Sequence, residues 1–302
     1  MKLLIMGGSG QLSGRLAEMA VEAGHEVWAV TRGLRPLPAN VHPITADRRD
    51  AAALREALAQ AHTQWDAVLD CICMSAEDAQ TDLAVLPAFT RRAVVVSTDS
   101  VYHPLHKRVP QDEHANVYMG DGGYGHRKRQ MEEAFLASDA LACTLFRPGH
   151  IFGPGFLPGC FPEQSRQKDL LKHMRAGKPL RLVDGGRFLI HPIYVDDLAQ
   201  AMLHCIPNER TFGQIYCIGG PDVLPNAEYY RILASLLGTE AVIESIPPTG
   251  YLDKHPEYSG HLCHRSYTLD KMKSHGIPLP ATRLADGLRR QVQWLKQQEE
   301  TR

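Results

Sequence analysis

Tyr124 and Lys128 stand four residues apart at the start of a helical pattern, Tyr124-Gly-His-Arg-Lys128, continued by Met131, Phe135 and Leu136. Positions i and i+4 share a helix face, so the phenol and the ammonium can point into one site. A cation there favours the phenolate and draws a tyrosine pKa down from ~10 toward working pH. This is acid–base chemistry at a hydroxyl or carbonyl. An isolated YxxxK is equally an exposed surface pair, so the surrounding pattern has to decide. A second candidate set, Ser97-Thr98-Asp99-Ser100-Val101-Tyr102, closes a predicted strand over 92–97. The carboxyl ends of strands hold ligands in open α/β sheets, although Ser, Thr and Asp also make plain turns.

The elements that must position these groups begin with Lys2 to Gly14, KLLIMGGSGQLSG. An apolar run meets Gly7-Gly8-Ser9-Gly10, and helical spacing starts at Leu12 and Leu16. Strand, glycine turn and helix in that order let backbone approach a phosphate, while the helix N-terminus offers free N–H groups and a positive dipole end. Gly7, Gly10, Gln11 and Leu12 are therefore candidates to hold a dinucleotide. The first helix runs to about Ala23 and Gly24 ends it. The second strand is Glu26-Val27-Trp28-Ala29-Val30-Thr31. Arg32 lies just past it, where NAD sites carry a carboxylate and NADP sites an arginine for the 2′-phosphate. Asp47, after a predicted strand over 41–46, lies where an adenine would sit.

Alternation continues with helices over 50–61 and 76–86 and strands over 67–72 and 92–97, Asp50 serving as an N-cap. Near-continuous apolar strands between helices indicate a parallel sheet covered on both faces. A strand over 142–146 leads into Arg147-Pro148-Gly149-His150, after which Pro and Gly become dense. The fold class is α/β, a Rossmann-type doubly wound parallel sheet with a smaller C-terminal substrate lobe. Residues 1–154 plus about 188–218 form the dinucleotide-binding part, and 155–187 plus 219–302 the substrate-binding lobe. That lobe includes predicted helices over 162–176, 226–237 and 283–298; a strand over 214–218 returns to the main sheet.

The 302 residues are 44% hydrophobic and 22% charged, with a net charge of −1. This is a globular composition with no bias toward nucleic acid or an anionic membrane. No apolar run approaches the ~20 residues needed to span a bilayer, and the chain begins in its first strand, leaving no room for a signal peptide. Seven cysteines in no disulfide-like spacing suit a reducing cytoplasm. His261-x-Cys263-His264 lacks a fourth ligand at defined spacing, so no metal site is expected.

The succession GGSGQLSG (7–14), STDSVY (97–102), YGHRK (124–128), RPGHIFGPG (147–155) and IYVDDLA (193–199) resembles the extended short-chain dehydrogenase/reductase family, that is, the NAD(P)-dependent epimerases and dehydratases. Gly7 and Gly10 match the first two glycines of its GxxGxxG, with Ser13, beside Gly14, at the third. The resemblance implies that Thr98 hydrogen-bonds the substrate oxygen, that Tyr124 and Lys128 are catalytic, and that both also touch the cofactor. His150 falls where sugar-nucleotide epimerases often have asparagine. His191 falls where an arginine often clasps the nucleotide diphosphate, and Arg187 is a nearby substitute. Asp99, His150, Arg187 and His191 are thus substrate-side candidates. Asp99-Ser100 replaces the Asp-Glu pair of the family's dehydratases, which argues against dehydration.

The expectation is an NADP-dependent enzyme, with NAD as the alternative, acting at a secondary alcohol or ketone of a sugar-like substrate. Epimerisation by transient oxidation and re-reduction leads; a reductase or dehydrogenase with net cofactor turnover is the alternative. The stretches VTRG, ADRRD, WDAVLDCI and LIHPIYVDDLA are also similar to a branch related to chloroplast stem-loop-binding proteins, which offers a third reading: a non-catalytic NADP-binding or RNA-associated protein. Intact Thr98, Tyr124 and Lys128 and the near-neutral charge argue against it. Expected partners are a small-molecule substrate, no nucleic acid, no membrane and, by family resemblance, a second copy paired through the helices beginning near residues 75 and 124.

Overall fold

A computed structural model describes residues 1–160, 162–258 and 260–300. Its strands are β1 (Lys2–Met6), β2 (Glu26–Thr31), β3 (Val41–Thr45), β4 (Ala67–Asp70), β5 (Arg92–Val96), β6 (Ala142–Pro148), β7 (Ile151–Phe152) and β8 (Leu180–Val183). Then come β9 (Leu189–Ile190), β10 (Ile193–Tyr194), β11 (Gln214–Ile218), β12 (Leu224–Pro225) and β13 (Ile243–Ile246). The helices are α1 (Gln11–Glu22), α2 (Ala51–Gln60), α3 (Ala76–Val85), α4 (Tyr124–Leu136) and α5 (Leu170–Arg175). They continue as α6 (Val195–His204), α7 (Asn226–Leu237), α8 (Tyr251–Lys254), α9 (Asp270–Ser274) and α10 (Leu284–Glu300).

Seven strands form one parallel sheet in the order β11-β6-β5-β4-β1-β2-β3. The chain reverses its direction of winding between β1 and β4, which opens a crevice above their carboxyl ends. Strand side chains alternate between faces. Leu3, Ile5, Val27, Ala29 and Val94 pack under α1 and α6 in one core, while Leu4, Met6, Trp28, Val30, Ala93 and Val95 pack under α2, α3 and α4 in the other. Burial on both faces explains why these strands read as unbroken apolar runs. A third core joins Phe152, Leu170, Met174, Leu182, Tyr229, Tyr230, Leu233 and Leu288 from β7, α5, β8, α7 and α10.

Local chemistry sets the element ends. The Asp50 carboxylate accepts the N–H groups of Ala52 and Ala53 at 3.1 and 3.0 Å, capping α2. Gly238 adopts φ 69° and ends α7 as a left-handed cap. The helix predicted over 162–176 is much shorter: only Leu170–Arg175 is helical. Gly159 is folded so tightly against the Gln164 carbonyl that a Cβ would collide with it, and Arg166 takes a positive φ of 49°. The segment before α5 is therefore a folded-back loop. No helix among the described residues is long and apolar enough to cross a membrane.

Candidate active site

The glycine turn is close-packed backbone. Gly7 and Gly8 have φ of 108° and 107°, and a Cβ on Gly8 would lie 2.6 Å from that of Ala29. Ser13, at the third glycine position, is buried, and its Oγ accepts the Gly10 N–H at 3.1 Å. The departure from glycine thus adds a hydrogen bond that holds the turn onto the first turn of α1.

Two cavities meet at Gly10, Ser13, Ile72 and Met74. The one above β2 and β3, of about 540 Å³, is lined by Gly7, Arg32, Arg35, Asp47, Arg49 and Asp78, among others. Asp47 is held by Arg49 at 3.0 Å, which draws its carboxyl down to about 2. Among the described residues neither Arg32 nor Arg35 has a carboxylate within ion-pair distance. Below this cavity Arg48 is buried against Asp70 at 2.8 Å and Asp82 at 2.7 Å. Desolvation and the neighbouring Asp70 charge raise the Asp82 carboxyl well above its ordinary value, while the two acids share the one guanidinium.

The other cavity, of about 510 Å³, lies above β4, β5 and β6 and collects Gln11, Leu12, Thr98, Asp99, Tyr124, Lys128 and His150. Three elements bring them there. The end of β5 is tied to α4 through Ser97 Oγ, which donates to Glu132 Oε1 at 2.6 Å, and the fully buried Arg147 of β6 clasps the same carboxylate at 2.8 and 2.6 Å. At the opposite end of α4, Gly125 touches the Ser100 carbonyl so closely that a side chain could not fit. The first turn of α4 therefore lies directly on the 98–101 turn. Thr98 caps that turn, its Oγ1 accepting the Ser100 N–H at 3.2 Å. Although 47% of Tyr124 is exposed, it lines the same cavity as the buried Thr98.

Lys128 shares the cavity but not in the manner expected. Its Nζ donates to the carbonyls of Cys73 and Val96, each at 2.6 Å. Burial raises the Tyr124 pKa; the opposing influences are the neighbouring Thr98 hydroxyl and the Arg166 and Arg127 charges, and Lys128 is not prominent among them. Helical spacing brought the two side chains to one face, but two backbone carbonyls hold the ammonium.

Asp99 lines the cavity, yet its carboxylate is engaged by Arg265 Nε at 2.9 Å and the Tyr267 hydroxyl at 2.6 Å. Burial alone would raise its pKa; the Arg265 charge, Lys107 and the Tyr267 bond bring it below 3.8. His150 is driven down to about 3 by burial and by Arg166, and its Nε2 is buried without a partner. Two other candidates are elsewhere. His191 is buried, with Nε2 on the Gly220 carbonyl at 2.7 Å and Nδ1 accepting the Tyr267 N–H at 3.1 Å, so both nitrogens serve the fold. Arg187 is 81% exposed, pairs with Asp184 at 3.2 Å and does not line the cavity. Arg166, His261 and Arg265 do line it. No local spacing announced Arg166 or Arg265, whereas Arg35 and Arg49 were visible beside Arg32 and Asp47.

The family model described as NAD dependent epimerase/dehydratase matches residues 3–219. A 2'-dehydrokanamycin reductase of Streptomyces kanamyceticus is 28% identical over 253 residues, covering 82% of this chain and 70% of that protein. A chloroplast stem-loop binding protein of 41 kDa from Arabidopsis thaliana is 25% identical over 234 residues, covering 72% of this chain and 58% of that protein. Among solved structures, an epimerase of Methanothermobacter thermautotrophicus superposes with a TM-score of 0.83 at 17% identity, covering 99% of this chain and 93% of that one. A dTDP-glucose 4,6-dehydratase of Bacillus anthracis in complex with NAD gives 0.80 at 19% identity, covering 99% and 98%. At these identities the superpositions speak for the fold.

Proposed function

The chain belongs to the NAD dependent epimerase/dehydratase family and is an enzyme of the extended short-chain dehydrogenase/reductase type, and from that premise we propose that it is an NADPH-dependent reductase of a ketone on a polyhydroxylated, sugar-like substrate. The observation that carries this reading is the convergence of Tyr124, Thr98 and Lys128 in a cavity that meets the one beside the glycine turn at Gly10 and Ser13. The side-chain-free turn at Gly7 and Gly8 and the helix N-terminus at Gln11 and Leu12 fit a dinucleotide. Arg32 and Arg35, without carboxylate partners, fit a 2′-phosphate, with Asp47 beside the adenine. The division into residues 1–154 plus 188–218 for the cofactor and 155–187 plus 219–302 for the substrate belongs to the same proposal.

The cofactor supplies the hydride. Thr98 and Tyr124 hydrogen-bond the substrate carbonyl oxygen, and Tyr124 gives it a proton as it becomes an alkoxide. Positioned transfer of this kind is worth roughly 10²–10⁴-fold. Lys128 contributes positive charge to the same cavity and, through the Cys73 and Val96 carbonyls, ties α4 to the ends of β4 and β5. Lys128, Arg166 and Arg265 against the single carboxylate of Asp99 disfavour a polycationic substrate.

Reduction is preferred to epimerisation because an epimerase must retain its ketone while the sugar turns. His191 and Arg187, the candidate diphosphate anchors, both lie outside the cavity. Epimerisation is the second reading, favoured by the family match. Incubating the protein with candidate keto sugars while following nicotinamide absorbance and product stereochemistry separates them: stoichiometric NADPH loss supports reduction, and product without net cofactor change overturns it.

A cytoplasmic setting accords with the seven free thiols. A homodimer through α3 and α4 would use a mixed surface, on which Glu77, Gln80, Arg127, Gln130 and Glu133 are exposed beside Ala84, Tyr124 and Leu136. Sedimentation at several concentrations tests it.

A further inference from the structure

Arg166 is held as though waiting for an anion. It comes from the folded-back loop before α5, at a positive φ of 49° that a non-glycine residue keeps only where the surroundings impose it. The guanidinium lies over the Phe156 ring, 4.7 Å from its centroid, and lines the cavity that holds Tyr124. Its hydrogen bonds are long: 3.4 Å to Gln11 Oε1 and 3.4 Å to the Ile151 carbonyl. Among the described residues no carboxylate lies within ion-pair distance. Arg265 in the same cavity differs, with Asp99 at 2.9 Å and the Gly260 and His261 carbonyls at 2.8 and 3.1 Å. A partly buried guanidinium with weakly used donors is costly unless a partner arrives.

Two further features converge on this point. Gln11 opens the twelve-residue α1, whose N-terminus attracts negative charge. His150 Nε2, buried and unpartnered, lines the same cavity and feels the Arg166 charge. We propose that Arg166 is an oxyanion-binding residue reaching from the substrate side across the mouth of α1, where it takes either the pyrophosphate of the dinucleotide or an acidic group of the substrate. The inference rests on the nicotinamide-dependent reading above.

The test uses the full chain with Arg166→Gln and Arg166→Lys. Unfolding midpoints equal to wild type establish that each variant folds. NADPH and NADH affinities are measured by fluorescence titration, and calorimetry measures inorganic phosphate binding to protein preloaded with NADPH. If Arg166 holds the pyrophosphate, Arg166→Gln weakens both dinucleotides about tenfold or more, with partial recovery in Arg166→Lys. If it holds a substrate acid, dinucleotide affinities are unchanged, while phosphate binds NADPH-loaded wild type and not the Gln variant. Unchanged dinucleotide affinity together with no difference in phosphate binding overturns the inference. Failure of wild type to bind either dinucleotide instead overturns the cofactor reading on which it stands.

Discussion

The two cavities flanking the glycine turn are similar in size but built in opposite ways. The cavity above β2 and β3 is lined entirely by residues between Gly7 and Asp78, its arginines on loops just beyond β2 and β3. The Tyr124 cavity draws on residues from Gly10 to Arg265, and its charges are desolvated and interlocked. One is a surface built from a single stretch of chain. The other exists only when α4, β6, the loop before α5 and the 260–267 segment have all assembled. Substitutions of the exposed Arg32 and Arg35 on the first side should therefore change selectivity while leaving stability intact. On the second they should affect catalysis and folding together.

The sharpest break of that contrast is Tyr124→Phe. Turnover should fall by roughly 10²–10⁴-fold with dinucleotide affinity retained, as measured by steady-state rates beside fluorescence titration. Survival of turnover would refute the enzymatic role of the hydroxyl. Next, Asp99→Asn leaves Arg265 buried without its counter-charge, a loss of about 3–5 kcal/mol of stability measured by urea unfolding. Because the Asp99 pKa is lowered on folding, its contribution is present above the unfolded value of 3.8 and lost as pH falls through the folded one. The gap between variant and wild type should therefore narrow on acidification below 3.8. If Asp99 instead only contacts substrate, stability will not move and KM will.

On the adenosine side, Arg32→Ala should cut the preference for NADPH over NADH about tenfold, the worth of one charge-assisted hydrogen bond, with an unchanged unfolding midpoint. An unaltered preference removes Arg32 from the 2′-phosphate. The smallest effect is an absence. His150, down at about 3, stays neutral across the working range, and burial raises the Tyr124 pKa. The pH–rate profile of ketone reduction should be flat through the ordinary histidine range and fall only when Tyr124 loses its proton above the ordinary tyrosine value. An inflection near 6.5 would show a titrating histidine at work.

What was legible in the sequence follows the same division. β2, β11 and α7 fall on their predicted residues, because burial on both faces writes an unbroken apolar run into a strand and a period of 3.6 into a helix. The glycine turn, Arg32, Asp47, Thr98, Tyr124 and Lys128 were readable because each is fixed by a strand end or one helical turn. The helix expected over 162–176 failed because Gly159 packs on the Gln164 carbonyl, a contact with no local periodicity. His191 and Arg187 were assigned by position in a motif. Whether a side chain then turns inward or outward depends on partners such as Gly220, Tyr267 and Asp184, which the motif does not contain.

The sequence by itself therefore determined the parallel sheet, the glycine turn and the placing of Thr98 and Tyr124 at a strand end and a helix start, since these rest on local backbone geometry and apolar pattern. Tertiary structure alone decided which groups hold each charge. It gave the Lys128 ammonium to two backbone carbonyls, tied Asp99 to Arg265 across 166 residues of chain, and brought Arg166 to the mouth of α1 without a carboxylate. The physical reason is that a buried charge is stabilised by whichever partner the packed chain delivers within about 3 Å, and sequence distance carries no record of that delivery.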